Sequence, residues 1–410
     1  MRRRMLLNGF VVLVSISLLC SLAEAQPKPK STAAPAKGPI KIGINLDLTG
    51  TWAEDASHIR RGYELYLEKI GYTVAGRKIE IIEYDNRGDP KIALEVTKKL
   101  VKKDNVHMVG GYCNSAGAMA VKDYHITEKV PMVAFAVAGS EGVTLPGSKY
   151  VFRTMYADGM YERILAHYAY ENLGYKKMVV FGPNYVGGTG KLASFTRGFE
   201  EKGGKIVQTI LHPLGTYDVA PYLAGISPEA EGIFAFEPGD IAVVRFLAQY
   251  FESNLKNRVA LCIHQSMSQD YLPVKIFGEQ MIGAYSCHHY TPSFPGPENE
   301  HFKAVYKAKY PRDITNYCNE GGYVGMKFIT TALKTINGNV EDKEAFLAAM
   351  SSTKVQAPCS LISLDQNNNV VRDLLITKIQ KVGDTVQNVV VKVVPQVHQP
   401  PQGFTLFEKK

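Results

Sequence analysis

The amino-acid sequence predicts an α/β protein with two lobes, each organised around a mainly parallel β-sheet. Strand-like apolar runs alternate with helical stretches of roughly 12 to 15 residues, which is the pattern of βαβ units. The alternation occurs in two successive series, and 410 residues exceed the roughly 150 of one ordinary domain. With 45% hydrophobic and 21% charged residues, the composition is globular and excludes a largely disordered chain.

The first series of elements supplies the first lobe. Pro90 is placed at a first helical turn, where a missing N–H is tolerated, and Gly71 is placed just after a helix. Strands are predicted at 40–48, 78–85, 107–112 and 131–138, and helices at 57–70, 90–103 and 115–129.

The second series supplies the second lobe, and a further helical region at 299–352 follows it. The run MVVF is continuously apolar, as expected for a strand that is covered on both faces. Strands are predicted at 177–181, 205–212, 232–236 and 259–264, and helices at 161–172, 191–202 and 240–253.

Residues 1–25 are predicted to be a secretory signal peptide that is cleaved near Ala25. Three arginines at 2–4 precede an apolar segment at 11–19, and Ala-Glu-Ala at 23–25 has the small-residue pattern of a cleavage site. A membrane anchor is the alternative, but the apolar segment is shorter than the roughly 20 residues that span a bilayer. We therefore expect an exported, periplasmic protein.

Two segments rich in proline and polar residues are predicted to lie outside the lobes, a linker at 26–38 and a C-terminal tail at 395–410. The formal charge is +8, and removal of the signal peptide leaves (47−3)−(39−1), or +6. This excess is small and is not concentrated in the sequence, so we expect no nucleic-acid partner.

The cysteine pattern offers little support for a metal or a redox site. Loss of Cys20 with the signal peptide leaves five cysteines, so at least one thiol is free, and no CxxC motif occurs. Cys262 lies in an apolar run and is predicted to be a buried thiol. Cys287, Cys318 and Cys359 are predicted to lie in loops and are the better candidates for a disulfide in an oxidising compartment.

Motifs of common enzymes are missing. The run GGTGK at 187–191 lacks the spacing of a phosphate-binding loop, and GxGxxG after the first strand, GxSxG and HExxH do not occur. His288 and His289 beside Cys287 have no second motif with which to hold a metal. We predict a protein that is not an enzyme and that binds no cofactor and no metal.

Candidate ligand-binding residues follow the predicted strands. Ligands of open α/β sheets bind beyond the carboxyl ends of the strands. The residues at these ends are Trp52, Asn114 and Ser115, Ala136, Ala138, Gly139 and Ser140 in the first lobe, and Tyr185, Glu237 and Gln265 in the second.

Two interpretations remain open for several of these residues. Asn114 and Ser115 begin a helix, whose free N–H groups and dipole could hold a carboxylate; equally, they are ordinary capping residues. Trp52, Tyr156 and Tyr185 are either apolar walls of a ligand cleft or packing residues.

The motif order resembles that of type I periplasmic solute-binding proteins, in particular the leucine/isoleucine/valine-binding family that serves ABC importers. The segments are IKIGINLDLTG, KIEIIEYDNRGDPKIALEVTKKL, VGGYCNSAGAMAVKDYHITEKVPMVAFA, YVFRT and KKMVVFGPNYVGGTG, followed later by APCS and LDQN. The resemblance covers 39–394. It implies two doubly wound, Rossmann-like lobes joined by a three-strand hinge, with lobe 1 at 39–156 and 285–358 and lobe 2 at 157–284 and 359–394.

The resemblance also implies roles for the strand-end residues. The first-lobe residues would hold an α-carboxylate and an ammonium, and Tyr185, Glu237 and Gln265 would contact the ligand from the second lobe. Gln265 stands where amino-acid binders usually carry a carboxylate for the ammonium, so Glu237 would have to supply that charge. Gly88 stands where some members have a cysteine that pairs with the equivalent of Cys113, so that disulfide is absent.

The function implied is that of a solute receptor of an ABC importer. The expected ligand is a small carboxylate, a branched-chain or other apolar amino acid, captured by closure of the lobes and delivered by a monomer to a membrane permease. Three alternatives remain: an aromatic acid or an amide as ligand, a sensory role with the same fold, and a secreted α/β enzyme with an unrecognised site.

Overall fold

The computed structural model describes residues 38–400, which contain two β-sheets. The predicted signal peptide at 1–25, and all but the last residue of the predicted linker at 26–38, lie outside these residues. None of the helices within 38–400 has both the length and the apolar composition needed to cross a bilayer.

The first sheet has the strand order β2-β3-β1-β4-β5-β6, and all its neighbours are parallel apart from the β2–β3 pair. Its strands and connecting helices are, in chain order, β1 (Ile40–Leu46), α1 (Ala53–Lys69), β2 (Thr73–Val74), β3 (Arg77–Asp85), α2 (Pro90–Lys102), β4 (Met108–Gly111), α3 (Ser115–Glu128), β5 (Met132–Ala134) and β6 (Val151–Arg153).

The second sheet begins with five parallel strands in the order β8-β7-β9-β10-β11. The elements are α4 (Met160–Glu171), β7 (Lys177–Pro183), α5 (Val186–Glu201), β8 (Lys205–His212), α6 (Ala220–Ala224), β9 (Gly232–Ala235), α7 (Asp240–Glu252), β10 (Ala260–His264), α8 (Pro273–Phe277) and β11 (Tyr285–His288).

The C-terminal third of the chain contributes to both lobes. The long helix α10 packs along α1 of the first lobe, while β14 pairs antiparallel with β11 and extends the second sheet. The elements are α9 (Pro297–Lys309), α10 (Tyr317–Thr335), α11 (Lys343–Ser352), β12 (Val355–Gln356), β13 (Leu361–Leu364), β14 (Val370–Val382) and β15 (Thr385–Val397).

The α/β class, the two Rossmann-like lobes and the order of the main elements are confirmed. Two boundaries differ from the prediction. The strand β11, which a boundary at 285 assigns to lobe 1, pairs within the second sheet. The first residues of the tail predicted at 395–410 belong to the fold, because β15 runs to Val397 and the buried Gln399 accepts a hydrogen bond from Thr144 Oγ1 at 2.9 Å. Residues 401–410 lie outside the described residues.

Each sheet contains a switch point, which is the gap between two neighbouring strands whose connections to the next strand run towards opposite edges of the sheet. The order β3-β1-β4-β5-β6 in the first lobe and the order β8-β7-β9-β10-β11 in the second are the same doubly wound arrangement. The switch points therefore lie between β1 and β4 and between β7 and β9. Ligands of such sheets bind at the carboxyl end of this gap.

A buried ion pair connects the segments that cross between the lobes. The guanidinium of Arg372 in β14 donates to Glu320 Oε1 of α10 at 2.8 Å and to the carbonyl of Met155, which follows β6, at 3.2 Å. Glu320 Oε2 lies 3.1 Å from Nε2 of His289, which follows β11. Although burial opposes it, Arg372 and His289 hold the pKa of Glu320 below its ordinary value. One charge cluster thus contacts all three crossovers.

We expect Glu320→Gln to destabilise the fold, because Arg372 would keep a buried charge without a counter-charge. Breaking one side of such a pair costs about 3–5 kcal/mol. Urea unfolding followed by circular dichroism measures the change. Glu344→Gln is the matched control, since Glu344 pairs with Lys149 on the surface and is 73% exposed; its midpoint should not change. Equal midpoints for the two variants would contradict the role of the hinge pair.

Candidate functional site

A cavity lies where the two switch points face each other across the cleft between the lobes. Both sheets direct the carboxyl ends of their parallel strands towards it. It is lined by Trp52, Asp55, Cys113, Ser115 and Val137 of the first lobe, by Tyr156 and Tyr317, and by Tyr185, Lys191, Phe236, Pro238, Gly239, His264 and Ser266 of the second lobe.

Six of the fourteen residues that line this cavity have aromatic rings. The ring centroids of Trp52 and Tyr185, which belong to different lobes, are 6.3 Å apart. Tyr185 lies 6.5 Å from Phe236, and the ring of Phe236 meets that of His264 nearly at right angles at 5.0 Å. Tyr156 closes the inner end and donates to the carbonyl of Val137 at 3.0 Å. The structure therefore brings the predicted residues Trp52, Tyr156 and Tyr185 together.

The two residues at the start of α3 have different environments. Asn114 caps the helix, because its side-chain oxygen accepts from the N–H of Ala116 and its amide donates to the carbonyl of Gly88 at 2.8 Å. Ser115 lines the cavity, and its Oγ accepts from the N–H of Ser140 at 3.1 Å. Only Ser115 of this pair has its side chain at the cavity wall.

Most residues of the loop after β5 do not line the cavity, and their backbone groups form hydrogen bonds within the first lobe. The backbone N–H groups of Ala136 and Ala138 donate to the carbonyls of Gly111 and Tyr112, which extends the sheet. The carbonyls of Gly139 and Ser140 accept from the buried guanidinium of Arg153 at 2.9 and 2.8 Å. Of this segment, Val137 lines the cavity, and the predicted residues Ala136, Ala138, Gly139 and Ser140 lie behind it.

Glu237 and Gln265 are buried but do not line the cavity. Glu237 Oε1 lies 2.8 Å from Nε2 of His212, so its carboxylate already has a hydrogen-bond partner. The side-chain amide of Gln265 is enclosed and has no hydrogen-bond partner among residues 38–400.

Three ionisable residues at the cavity wall were not predicted from the sequence: Asp55, Lys191 and His264. Lys191 is the last residue of the GGTGK run, and its ammonium pairs with Asp158 at 2.5 Å and lies 4.9 Å from the ring of Phe236. The available signal was its position on α5, four residues before the buried Phe195 and so on the inward face of the helix.

Asp55 has an unusual environment for a carboxyl group. It lies in the first turn of α1 and accepts from the hydroxyl of Tyr317 at 3.3 Å and from the thiol of Cys318 at 3.2 Å. Burial, with a smaller contribution from nearby Asp240, raises the pKa of Asp55 from 3.8 to about 7. A carboxyl with this pKa is close to the balance between its neutral and charged forms at neutral pH.

The cysteine prediction was partly wrong. Cys113, Cys262, Cys287, Cys318 and Cys359 are all free and buried. Cys262 is the buried thiol that was predicted, but Cys287 lies in β11 and Cys318 in the first turn of α10, so neither is the loop residue expected for a disulfide. No group of three or more metal-binding side chains occurs in the part of the chain that the structure describes.

Two α/β lobes that enclose a cavity at their facing switch points are the architecture of a protein that binds a small solute. The chain belongs to the periplasmic binding protein family, whose model matches residues 39–384. Within it, the relatives indicate a type I binding protein of the leucine/isoleucine/valine-binding branch. The Leu/Ile/Val-binding protein homolog 6 of Brucella suis is 26% identical over 352 residues, which cover 84% of this chain and 88% of that protein.

Solved structures extend the comparison. An ABC transporter substrate-binding protein from Sphaerobacter thermophilus is 31% identical with a TM-score of 0.82, over 88% of this chain and 98% of that one. A solute-binding protein of an ABC transporter from Rhodopseudomonas palustris BisB5, solved with 3,4-dihydroxybenzoic acid, is 28% identical with a TM-score of 0.82, over 88% and 99%. A leucine-binding protein from Thermotoga maritima shares the fold at 22% identity and a TM-score of 0.75, over 87% and 99%. The chain is an ABC-transporter solute-binding protein of a periplasmic family.

The lobes approach each other at the wall of the cavity, and Gly239 is one point of this approach. It has φ of +73°, and a Cβ there would lie 2.7 Å from the carbonyl oxygen of Thr51 in the other lobe. We expect Gly239→Ala to oppose closure and to weaken ligand binding at least tenfold, or about 1.4 kcal/mol. Isothermal titration calorimetry measures the affinity.

Gly215→Ala is the matched control for Gly239→Ala. Gly215 also has a positive φ, +87°, but nothing lies within 4 Å of its Cβ position. Both variants should lose about 1–3 kcal/mol of stability through backbone strain, because alanine tolerates a positive φ poorly, and at Gly239 the ψ of 151° lies in a region that is essentially restricted to glycine. Only Gly239→Ala should lose affinity, and an equal loss in both would show that strain in the second lobe, not contact between lobes, is responsible.

The raised pKa of Asp55 predicts a pH-dependent cost to stability. The folded state binds the proton more tightly than the unfolded state, so stability falls as pH rises from 3.8 to about 7 and the full cost is present above pH 7. Three pH units correspond to at most about 4 kcal/mol. We expect Asp55→Asn to stabilise the ligand-free protein more at pH 8 than at pH 5, in urea unfolding at both values. A variant that is equally stabilised at both pH values would refute the shift.

Proposed function

We propose that this chain captures a small aromatic carboxylate in the cleft between its lobes and delivers it to the permease of an ABC importer. The observation that carries the proposal is the wall of the cavity, in which Trp52, Tyr156, Tyr185, Phe236 and Tyr317 surround a narrow space. Parallel or tilted ring contacts favour a planar aromatic ligand. The relative solved with 3,4-dihydroxybenzoic acid supports the same class.

The carboxylate of the ligand is assigned to the first-lobe end of the cavity. Ser115 offers a hydroxyl there at the start of α3, where the helix dipole favours negative charge. Lys191 adds a buried positive charge on the opposite lobe, shared with Asp158. The residue expected to hold an ammonium, Glu237, faces His212 instead. This distribution favours an acid without an amine.

Binding would proceed through closure of the lobes. Trp52 and Ser115 contact the ligand from the first lobe and Tyr185 and Phe236 from the second, so only the closed form contacts both sides of it. A ligand with this differential affinity shifts the population towards closure, and the closed form would be the one that docks on the permease. We further propose export to the periplasm, cleavage of the leader near Ala25, and a monomeric receptor that performs no chemistry on its ligand.

An apolar amino acid is the second candidate, and Asp55 is the observation that favours it. Its carboxyl lines the cavity and would supply the counter-charge of an ammonium that Gln265 lacks. An ammonium near Asp55 would lower its raised pKa and hold it ionised.

A fluorescence titration distinguishes the two candidates, because Trp52 is the single tryptophan of the chain and lies in the wall of the cavity. We expect benzoate and its hydroxylated derivatives to bind at 1:1 stoichiometry and leucine to bind at least 100-fold more weakly. Benzamide serves as the control for the carboxylate and should bind at least tenfold more weakly than benzoate, since it brings no negative charge. The reverse order, with leucine bound tightly and benzoate silent, would establish the second candidate. Mass spectrometry of the released compound should show no conversion.

A further inference from the structure

His264, which lines the cavity, and Glu162, which adjoins it behind the wall, leave two polar atoms without partners. Nε2 of His264 lies 3.7 Å from Oε1 of Glu162, which is too far for a hydrogen bond. Both side chains are almost fully buried, and neither atom has a hydrogen-bond partner within residues 38–400. An unsatisfied buried polar atom is costly, so such a pair calls for a third group that satisfies both.

The hydrogen-bonding roles of the two atoms follow from their neighbours. The backbone N–H of Ser266 donates to Nδ1 of His264 at 3.2 Å, and a backbone N–H can only donate. Nδ1 is therefore an acceptor, and the proton of the neutral ring resides on Nε2. Burial lowers the pKa of His264 well below its ordinary value, which keeps the ring neutral. Nε2 is thus a donor. Burial, and then the nearby Asp158, raise the pKa of Glu162; in its ionised form Oε1 is an acceptor.

A second histidine–glutamate pair in the same lobe is joined by a direct hydrogen bond, unlike the pair of His264 and Glu162. His212 Nε2 and Glu237 Oε1 are 2.8 Å apart, hydrogen-bonded and away from the cavity wall. His264, by contrast, lines the cavity, and its ring packs against Phe236 and Tyr156. Of the pair that is not hydrogen-bonded, His264 lines the cavity and Glu162 adjoins His264.

We propose that His264 and Glu162 recognise a hydroxyl group on the ring of the ligand. This inference rests on the proposed function and narrows it: the ligand is a hydroxylated aromatic acid. The hydroxyl donates its proton to Glu162 Oε1 and accepts from the Nε2–H of His264. An oxygen at hydrogen-bond distance from two atoms 3.7 Å apart satisfies both at once.

Other groups do not fit the pair. A carboxylate has no proton for Glu162 and would place two acidic groups together. An ammonium has no lone pair for the N–H of His264, and a bare ring C–H leaves both atoms unsatisfied. A hydroxyl donates one hydrogen bond and accepts another, as this pair requires. Water has the same two capacities, so the hydroxyl of the ligand would act by taking the place of a water molecule.

The test compares benzoate with 2-, 3- and 4-hydroxybenzoate in wild-type protein and in Glu162→Gln, by isothermal titration calorimetry. Glu162 Oε2 accepts from the N–H of Gly159 at 2.8 Å and so caps α4; glutamine retains an oxygen for this bond. Its NH2 group would then stand where the hydroxyl needs an acceptor. We expect at least one hydroxybenzoate to bind wild type at least tenfold more tightly than benzoate, and this preference to fall below about twofold in the variant.

Glu237→Gln is the matched control, because it alters a buried glutamate of the same lobe whose pair with His212 lies outside the cavity wall; it should keep the preference. Proton NMR of wild type labelled with 15N-histidine is a second measurement, independent of the folding of any variant. The Nε2–H resonance of His264 should move downfield with the preferred hydroxybenzoate and not with benzoate.

The outcomes separate the two proposals. If benzoate binds but no hydroxybenzoate is preferred, or if the preference survives Glu162→Gln, the hydroxyl site is refuted and the aromatic-acid receptor stands. If no aromatic acid binds and leucine does, both proposals are refuted.

Discussion

The structure depends on one topological constraint, the alignment of two switch points across a shared cleft. Each lobe places the carboxyl ends of its central strands, β1 with β4 and β7 with β9, at the same edge of its sheet. A cavity forms only if the two edges face each other, and the three crossovers control that orientation. The buried pair of Arg372 with Glu320 contacts all three crossovers through Met155 and His289. The cavity can therefore form only if the hinge is correctly packed, although none of these hinge residues lines the cavity.

Much of this arrangement could be predicted from the sequence, because it follows from local patterns. Apolar runs separated by helices give the succession of strands along the chain, and strand ends identify Trp52, Ser115 and Tyr185. Lys191 and His264 were missed for a physical reason: one lies inside a helix and the other at the last residue of β10, so no loop pattern marks them. Which face of α5 is inward depends on packing between distant segments, which a single sequence does not contain.

Several residues that were predicted to contact the ligand are already hydrogen-bonded to other parts of the protein. Asn114 caps α3 through the N–H of Ala116, a local contact that its position before the helix allowed. Glu237 pairs with His212, which is 25 residues away in the sequence. Ala138 and Gly139 serve through their backbone, since their carbonyls accept from Arg153. A strand-end position therefore predicts proximity to the cleft better than it predicts ligand contact.

The charges around the cavity make the protonation of one residue, Asp55, important for both candidate classes of ligand, the aromatic acids and the amino acids. Lys191 is matched by Asp158, so the pair contributes little net charge, and Asp55 becomes the group that decides the balance. With a pKa of about 7, Asp55 can bind its proton when an anionic ligand enters, and the carboxylate of an aromatic acid then meets no opposing charge. An amino acid would draw Asp55 into its ionised form instead. The carboxyl of Asp55 is therefore compatible with either class of ligand. Discrimination between an aromatic acid and an amino acid must come from the aromatic wall and from the unpaired atoms of His264 and Glu162. An aliphatic side chain would leave those two atoms unsatisfied.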